Sequence, residues 1–102
     1  MNSQLRKGAL ELCVISLLLR QDLYGYEIIK MLSTKFPVSE GTIYPILRRL
    51  TKNDCLNTYI AESEQGPSRK YYTVTEKGLD HYQTLKEEWV LLTNFVQEII
   101  GG

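Results

Sequence analysis

Apolar positions recur along this chain in two different periods, and the change from one to the other divides it. From Leu5 to Leu19 the sequence has the length of a helix and is dense in apolar residues. Leu10, Cys13, Val14, Leu17 and Leu18 fall at core spacing, and Leu12, Ile15 and Leu19 lie on a second side. A helix apolar nearly all round cannot be enveloped by so small a chain, so part of it should be covered by another subunit. Gln21-Asp22-Leu23 makes a short break, and Tyr24-Gly25-Tyr26-Glu27 opens a second helix with Ile28, Ile29 and Leu32 facing inward. Lys35-Phe36-Pro37 closes it. Residues 38–50 form a third helix, in which Ile43, Ile46, Leu47 and Leu50 recur at spacings of 3, 4 and 7 and pack one stripe inward.

After Lys52-Asn53-Asp54 the period shortens to two. Residues 56–62 and 69–75 alternate in character, with Leu56, Thr58 and Ile60 on one side and Tyr72 and Val74 opposite them. The polar stretch 63–68 between them reads as a hairpin tip whose turn is set by Gly66-Pro67. Three helices followed by such a hairpin make a winged helix, with the hairpin as the wing. From Thr75, a candidate cap, a last helix runs to Ile100, in which Tyr82, Leu85, Trp89, Leu92, Val96 and Ile99 are separated by 3, 4, 3, 4 and 3 residues. That is a heptad seam, and it predicts packing against a symmetry mate, with Leu85, Trp89, Leu92, Val96 and Ile99 in the interface. Leu91 and Phe95 widen the face, so the helix is also expected to rest on the first helix; folding back entirely onto its own domain is the alternative. The fold class is therefore mainly α with a small β-hairpin: a winged helix-turn-helix over residues 1–75 and a C-terminal dimerisation helix over residues 76–102.

The third helix carries the candidate chemistry. Ser39 suits its N-cap and Glu40 the positive end of its dipole. With the apolar stripe turned inward, Thr42, Tyr44, Arg48 and Arg49 are left mostly on the other faces, where hydroxyls and arginines can reach phosphates and base edges of a major groove. An amphipathic helix with a merely solvated Tyr/Arg face would carry the same pattern. Pro45 constrains the geometry: under a Ser39 cap it falls in the second turn and costs about 3 kcal/mol in an ordinary helix, whereas under a Thr42 cap it sits harmlessly in the first. Either way the first turn should be irregular. On the wing, Arg69 and Lys70 stand where two cations can touch a phosphate backbone, or where they guard an edge strand against aggregation.

Composition changes this picture little. The 102 residues suffice for a single core. Formal net charge is zero, mildly at odds with a DNA partner, but residues 1–75 hold 10 Lys+Arg against 7 Asp+Glu and residues 76–102 hold 2 against 5. One end can thus face phosphate while the other does something else. Arg6 and Lys7 before an apolar stretch imitate a signal peptide, but Glu11 interrupts the stretch and no cleavage site follows, so a cytoplasmic protein with no membrane partner is expected. Cys13 and Cys55 lack metal-ligand spacing or a disulfide framework and are expected to be buried, reduced thiols.

Several blocks resemble the PadR-like transcriptional regulators: Lys7-Gly8-Ala9-Leu10-Glu11-Leu12, Tyr24-Gly25-Tyr26-Glu27-Ile28, residues 39–50, Gly66-Pro67-Ser68-Arg69-Lys70-Tyr71-Tyr72 and Thr75-Glu76-Lys77-Gly78. The resemblance covers nearly the whole chain and, with one C-terminal helix, points to the short subfamily. It implies a homodimeric repressor on an inverted-repeat operator in double-stranded DNA, with one recognition helix per half-site. Carried over residue by residue, Ser39, Thr42, Tyr44, Arg48 and Arg49 make the helix contacts, Arg69 and Lys70 the wing contacts, and Gly66 shapes the wing tip. Members of that family are often released by small aromatic or lipophilic compounds, and in the multidrug-responsive ones a tryptophan at the place of Trp89 lines a pocket at the dimer interface. If this chain has that pocket, a planar inducer would stack between Trp89 and its mate, and we expect Leu12, Ser16, Tyr82 and Thr93 as neighbours, although a Trp on such a seam also serves simple packing. Asn53-Asp54-Cys55 stands where the family commonly has a glycine before the wing, so the entry to the first wing strand is expected to differ.

Two other functions compete. Catalysis finds no support, since His81 has no nucleophile beside it, Glu87 and Glu88 point about 100° apart on a helix, and no phosphate loop, cofactor fingerprint or metal cluster occurs. A winged helix used only as a protein-interaction module would keep the seam but would not need Tyr44, Arg48, Arg49, Arg69 and Lys70 on one surface.

Overall fold

The computed structural model describes residues 3–63 and 66–102. The order is α1 (Ser3–Arg20), β1 (Leu23–Tyr24), α2 (Gly25–Ser33), α3 (Glu40–Lys52), β2 (Leu56–Ser63), β3 (Gly66–Val74) and α4 (Glu76–Ile100). The expected winged helix is present. Two details depart from expectation. The break after α1 is a strand, β1, which pairs antiparallel with β3 through Leu23–Tyr72 and Tyr24–Tyr71, giving a three-stranded sheet in the order β1-β3-β2. Gly66 and Pro67 belong to β3 rather than to the turn, at the strand start where a residue without an amide hydrogen is tolerated. Of the rest of the expected tip, Ser63 ends β2 and Ser68 lies in β3, while Glu64 and Gln65 lie outside the described residues.

The core forms where α1, α2 and α3 meet the sheet. Val14, Ile15, Ile28, Ile43, Leu47 and Leu56 are all but fully buried there. On α1 the docked arc runs through Leu10, Val14, Ile15 and Leu18, so Ile15 belongs to the core and Cys13 does not. Cys55 is buried as expected, but Cys13 is exposed. The reason is geometric: at roughly 100° per residue, Cys13 lies well outside an arc centred between Val14 and Leu18.

Two junctions fix the wing and α4. At the end of α3, the Asp54 amide donates to the Thr51 carbonyl and the Cys55 amide to the Leu50 carbonyl, a Schellman closure with Asp54 at φ 62°. The departure noted in the sequence thus leaves the turn intact, with aspartate in a left-handed conformation that glycine takes more cheaply. At the start of α4, the Thr75 hydroxyl accepts from the Gly78 amide at 3.0 Å and donates to the Asp54 carbonyl at 2.6 Å. Gly78 lies against the Cys55 carbonyl so closely that a Cβ would sit 2.1 Å from that oxygen. Four residues therefore lock the root of the wing to the root of α4.

Candidate nucleic-acid interface

Helix α3 starts from Ser39, whose carbonyl accepts from both the Thr42 and the Ile43 amides at 3.1 Å. Such sharing is common at a helix start, and the helix runs unbroken from Glu40 through Pro45 to Lys52, so the first turn is more regular than the proline leads one to expect. The Ser39 side chain does not cap the helix; its hydroxyl pairs with that of Thr42 at 3.3 Å. Pro45 falls inside the helix and is exposed, so the hydrogen bond it lacks would have been on the solvent side.

Burial divides α3 into arcs. Ile43, Ile46, Leu47 and Leu50 face the core, while Gly41, Pro45, Arg48 and Lys52 share the exposed side. Thr42 and Arg49 occupy one flank, half-buried and turned toward α1; Tyr44 occupies the other. The Tyr44 ring packs onto Gly25, where an added Cβ would sit 2.5 Å from a ring carbon. Of the four residues expected away from the core stripe, only Arg48 stands fully outward. The sequence reading passed over Gly41 and Lys52, although both follow from continuing the Arg48 side by helical steps.

The wing splits its two cations. Lys70 pairs in register with Ile60 and lies on the face of Tyr72, 5.8 Å from that ring centroid. Tyr72 is buried against the core, which raises its phenol pKa; Tyr44 adds to the rise and Arg48 opposes it. Lys70 and Arg48 thus belong to one side of the molecule. Arg69 points the other way, its guanidinium 4.7 Å from the Tyr24 centroid. On that opposite face Tyr71 stacks on Tyr59 and meets Tyr24 edge-on, both at 5.6 Å. The Tyr59 hydroxyl donates to Asp22 at 2.7 Å, which raises the Tyr59 pKa. The expected single surface holding Arg69 together with Lys70 is therefore not formed, because neighbours in a strand point to opposite faces. Gly66 is exposed at the start of β3.

One residue with no role in the sequence reading beyond interrupting an apolar stretch holds three helices together. Glu11 lies on the core-facing arc of α1 with its side chain 16% exposed. Its carboxylate meets Arg49 of α3 at 3.6 Å and His81 of α4 at 3.3 Å. The signal was available: a lone carboxylate inside the docking stripe of an apolar helix needs partners.

Along α4 the seam divides in two. Tyr82 and Leu85 pack against the core of their own chain. From Trp89 onward the apolar side chains are open, among them Leu92, Val96 and Ile99 of the seam and Leu91 and Phe95 beside it. Of the residues suggested for a ligand, Thr93 spends its hydroxyl on the Trp89 and Val90 carbonyls. Ser16 lines a cleft toward α2, with Leu17, Met31 and Leu32, that includes none of Leu12, Tyr82, Trp89 or Thr93. Among the described residues, then, Ser16 faces a different cleft from the one expected. Among the described residues no His, Cys, Asp and Glu group suits a metal ion, and no helix is long and apolar enough to cross a membrane.

Residues 14–84 match the Transcriptional regulator PadR-like family. The chain belongs to that family. PadR-like proteins are DNA-binding transcriptional regulators rather than enzymes, and this chain is one of them. A PadR-like transcriptional regulator from Bacillus cereus is 37% identical, with 98% of this chain and 99% of the other covered and a TM-score of 0.86. A PadR-like transcription factor from Bacteroides fragilis is 43% identical over 95% of both chains, with a TM-score of 0.78. A transcriptional regulator from Clostridium thermocellum is 32% identical over 94% of this chain and 97% of its own, with a TM-score of 0.85. An uncharacterised protein of Lysinibacillus sphaericus is 30% identical over 98% of this chain and 95% of its own length. In this PadR-like chain the winged-helix architecture presents α3 outward with the wing beside it.

Proposed function

We propose that this PadR-like chain is a homodimeric repressor that binds an inverted repeat, one α3 per half-site in successive major grooves. The observation that carries the proposal is the outward side of α3. Gly41 leaves it low, Arg48 and Lys52 leave it positive, and Lys70 extends the charge along the wing. Arg48 is the side chain best placed for a bidentate contact to guanine, with Lys52, Lys70, Ser39 and the flanking Thr42, Tyr44 and Arg49 on the backbone. Arg69 supports the wing from its far face, against Tyr24. Dimerisation rests on α4, the segment 76–102, through its open apolar side from Trp89 to Ile99, too extensive to be left in water. A two-fold pair would set two copies of α3 one DNA turn apart, about 34 Å. The Trp89 pair at such an interface offers a stacking surface for a planar aromatic or lipophilic inducer, completed by Leu12, Ser16, Tyr82 and Thr93 from the two protomers. As a regulator of transcription it works in the cytoplasm.

The test is a fluorescence anisotropy titration of purified protein on the DNA upstream of its own gene, with a scrambled fragment alongside. Selective, salt-sensitive retention is expected. Arg48→Ala should lose about 1–3 kcal/mol on the operator and relax the preference at one base pair per half-site. A wild-type protein that retains neither fragment, or an Arg48→Ala protein indistinguishable from wild type, would remove the repressor reading in favour of a protein-interaction module.

A further inference from the structure

Beside the outward side of α3 lies a cleft of about 400 Å³ that the contacts proposed above do not explain. Its walls come from the first turns of α1 and the flank of α3. Arg6, Lys7, Thr42 and Arg49 line it, Ile46 lies at its floor, and Pro45 forms its lip. Three cations and a hydroxyl thus converge, and among the described residues no carboxylate lines the space. Glu11 holds Arg49 at 3.6 Å without entering the cleft, so Arg49 is tethered where its charge is still shared with the opening.

We infer that this cleft is a phosphodiester subsite, which Arg6, Lys7, Arg49 and the Thr42 hydroxyl offer to the DNA strand on the side of α3 away from the wing. The inference rests on the DNA-binding reading of α3 and adds residues to it. Pro45 belongs both to the lip of the cleft and to the outward side of α3, so the cleft opens next to whatever that side approaches. The major groove is about 12 Å wide and a helix with its side chains 10–12 Å across, so a seated helix has a sugar-phosphate backbone against each flank. One flank is served by β3 with Lys70. The other has Arg6, Lys7, Thr42 and Arg49. A guanidinium pairs two phosphate oxygens in one plane, and the ammonium of Lys7 adds a point charge. Because α1 also lies in the core, these two cations would fix how far α3 can roll in the groove.

The experiment uses the full chain on a selected operator fragment, comparing wild type, Arg6→Gln/Lys7→Gln, Arg6→Lys and Arg48→Ala, each first checked for wild-type thermal unfolding. Affinity is measured from 50 to 200 mM salt, and ethylation interference maps the phosphates contacted. For the double variant, each lost phosphate contact lowers the salt slope by about 0.9, so the fourfold rise in salt should cost it about tenfold less affinity per half-site than it costs wild type. Operator and nonspecific DNA should weaken by similar factors, and ethylation at one or two phosphates per half-site should cease to interfere. Arg6→Lys should restore most of the slope, whereas Arg48→Ala should lose selectivity and keep the slope. An unchanged slope and interference pattern in the double variant, with Arg48→Ala still losing selectivity, would overturn the subsite and leave the repressor reading standing. Wild type that binds no DNA would overturn both. Competition by inorganic phosphate beyond that of chloride at equal ionic strength, relieved in the double variant, would reassign the cleft to a free anion.

Discussion

Asp54 bears a positive φ of 62° at the one turn where α3, the wing and α4 are joined. A left-handed conformation costs an L-residue roughly 1–2 kcal/mol relative to glycine, less for aspartate than for most. Asp54→Gly keeps both backbone hydrogen bonds of the turn and the carbonyl that accepts from Thr75. It should therefore raise the unfolding free energy by about 0.5–1 kcal/mol, read from urea denaturation with an unchanged slope. That Asn53-Asp54-Cys55 replaces a glycine was legible in the sequence, but that the chain would make the same turn regardless was not, because aspartate tolerates the conformation without announcing it. Glu11 teaches a similar lesson. A carboxylate in an apolar stripe signals that partners exist, while their identity, Arg49 and His81, depends on how three helices dock.

At the scale of elements, periodicity located nearly every helix and strand, and missed β1 because two residues cannot display a period. The placing of the third helix's outward residues was less secure. A four-residue inward stripe leaves most of the circumference unassigned, and the division between an outward side and two flanks came from α1 and Gly25 pressing on it. The wing illustrates the opposite failure. Alternation alone separates Arg69 from Lys70, and their shared place just beyond the wing turn grouped them. Their substitutions should separate accordingly. Lys70→Ala is expected to weaken DNA binding and lower the salt slope by about 1, with stability intact. Arg69→Ala should lose the cation-π contact with Tyr24, about 0.5–1 kcal/mol in thermal unfolding, with a smaller effect on the salt slope.

For the whole molecule the governing fact is its shape, 54 × 29 × 21 Å, drawn out by an α4 of 25 residues that outruns the domain beneath it. Tyr82 and Leu85 anchor the first turns; beyond them Leu91, Phe95 and Ile99 remain 70%, 60% and 67% exposed. The heptad seam was legible as one stripe, yet the structure divides it, since Tyr82 and Leu85 pack on their own core and only the overhanging part stays open. Val96→Glu, placed in that part, should shift sedimentation from dimer to monomer and with it lose affinity for a two-half-site operator. The isolated fold should survive, because the core lies elsewhere.

His81 sits in the anchored part of α4, and through Glu11 it shares a carboxylate with Arg49 of α3. Like a keystone touched from both sides, that carboxylate cannot yield to one neighbour without loosening its grip on the other. The far end of α4 therefore overhangs from a root that is tied, through one carboxylate on α1, to the same helix that carries Arg48.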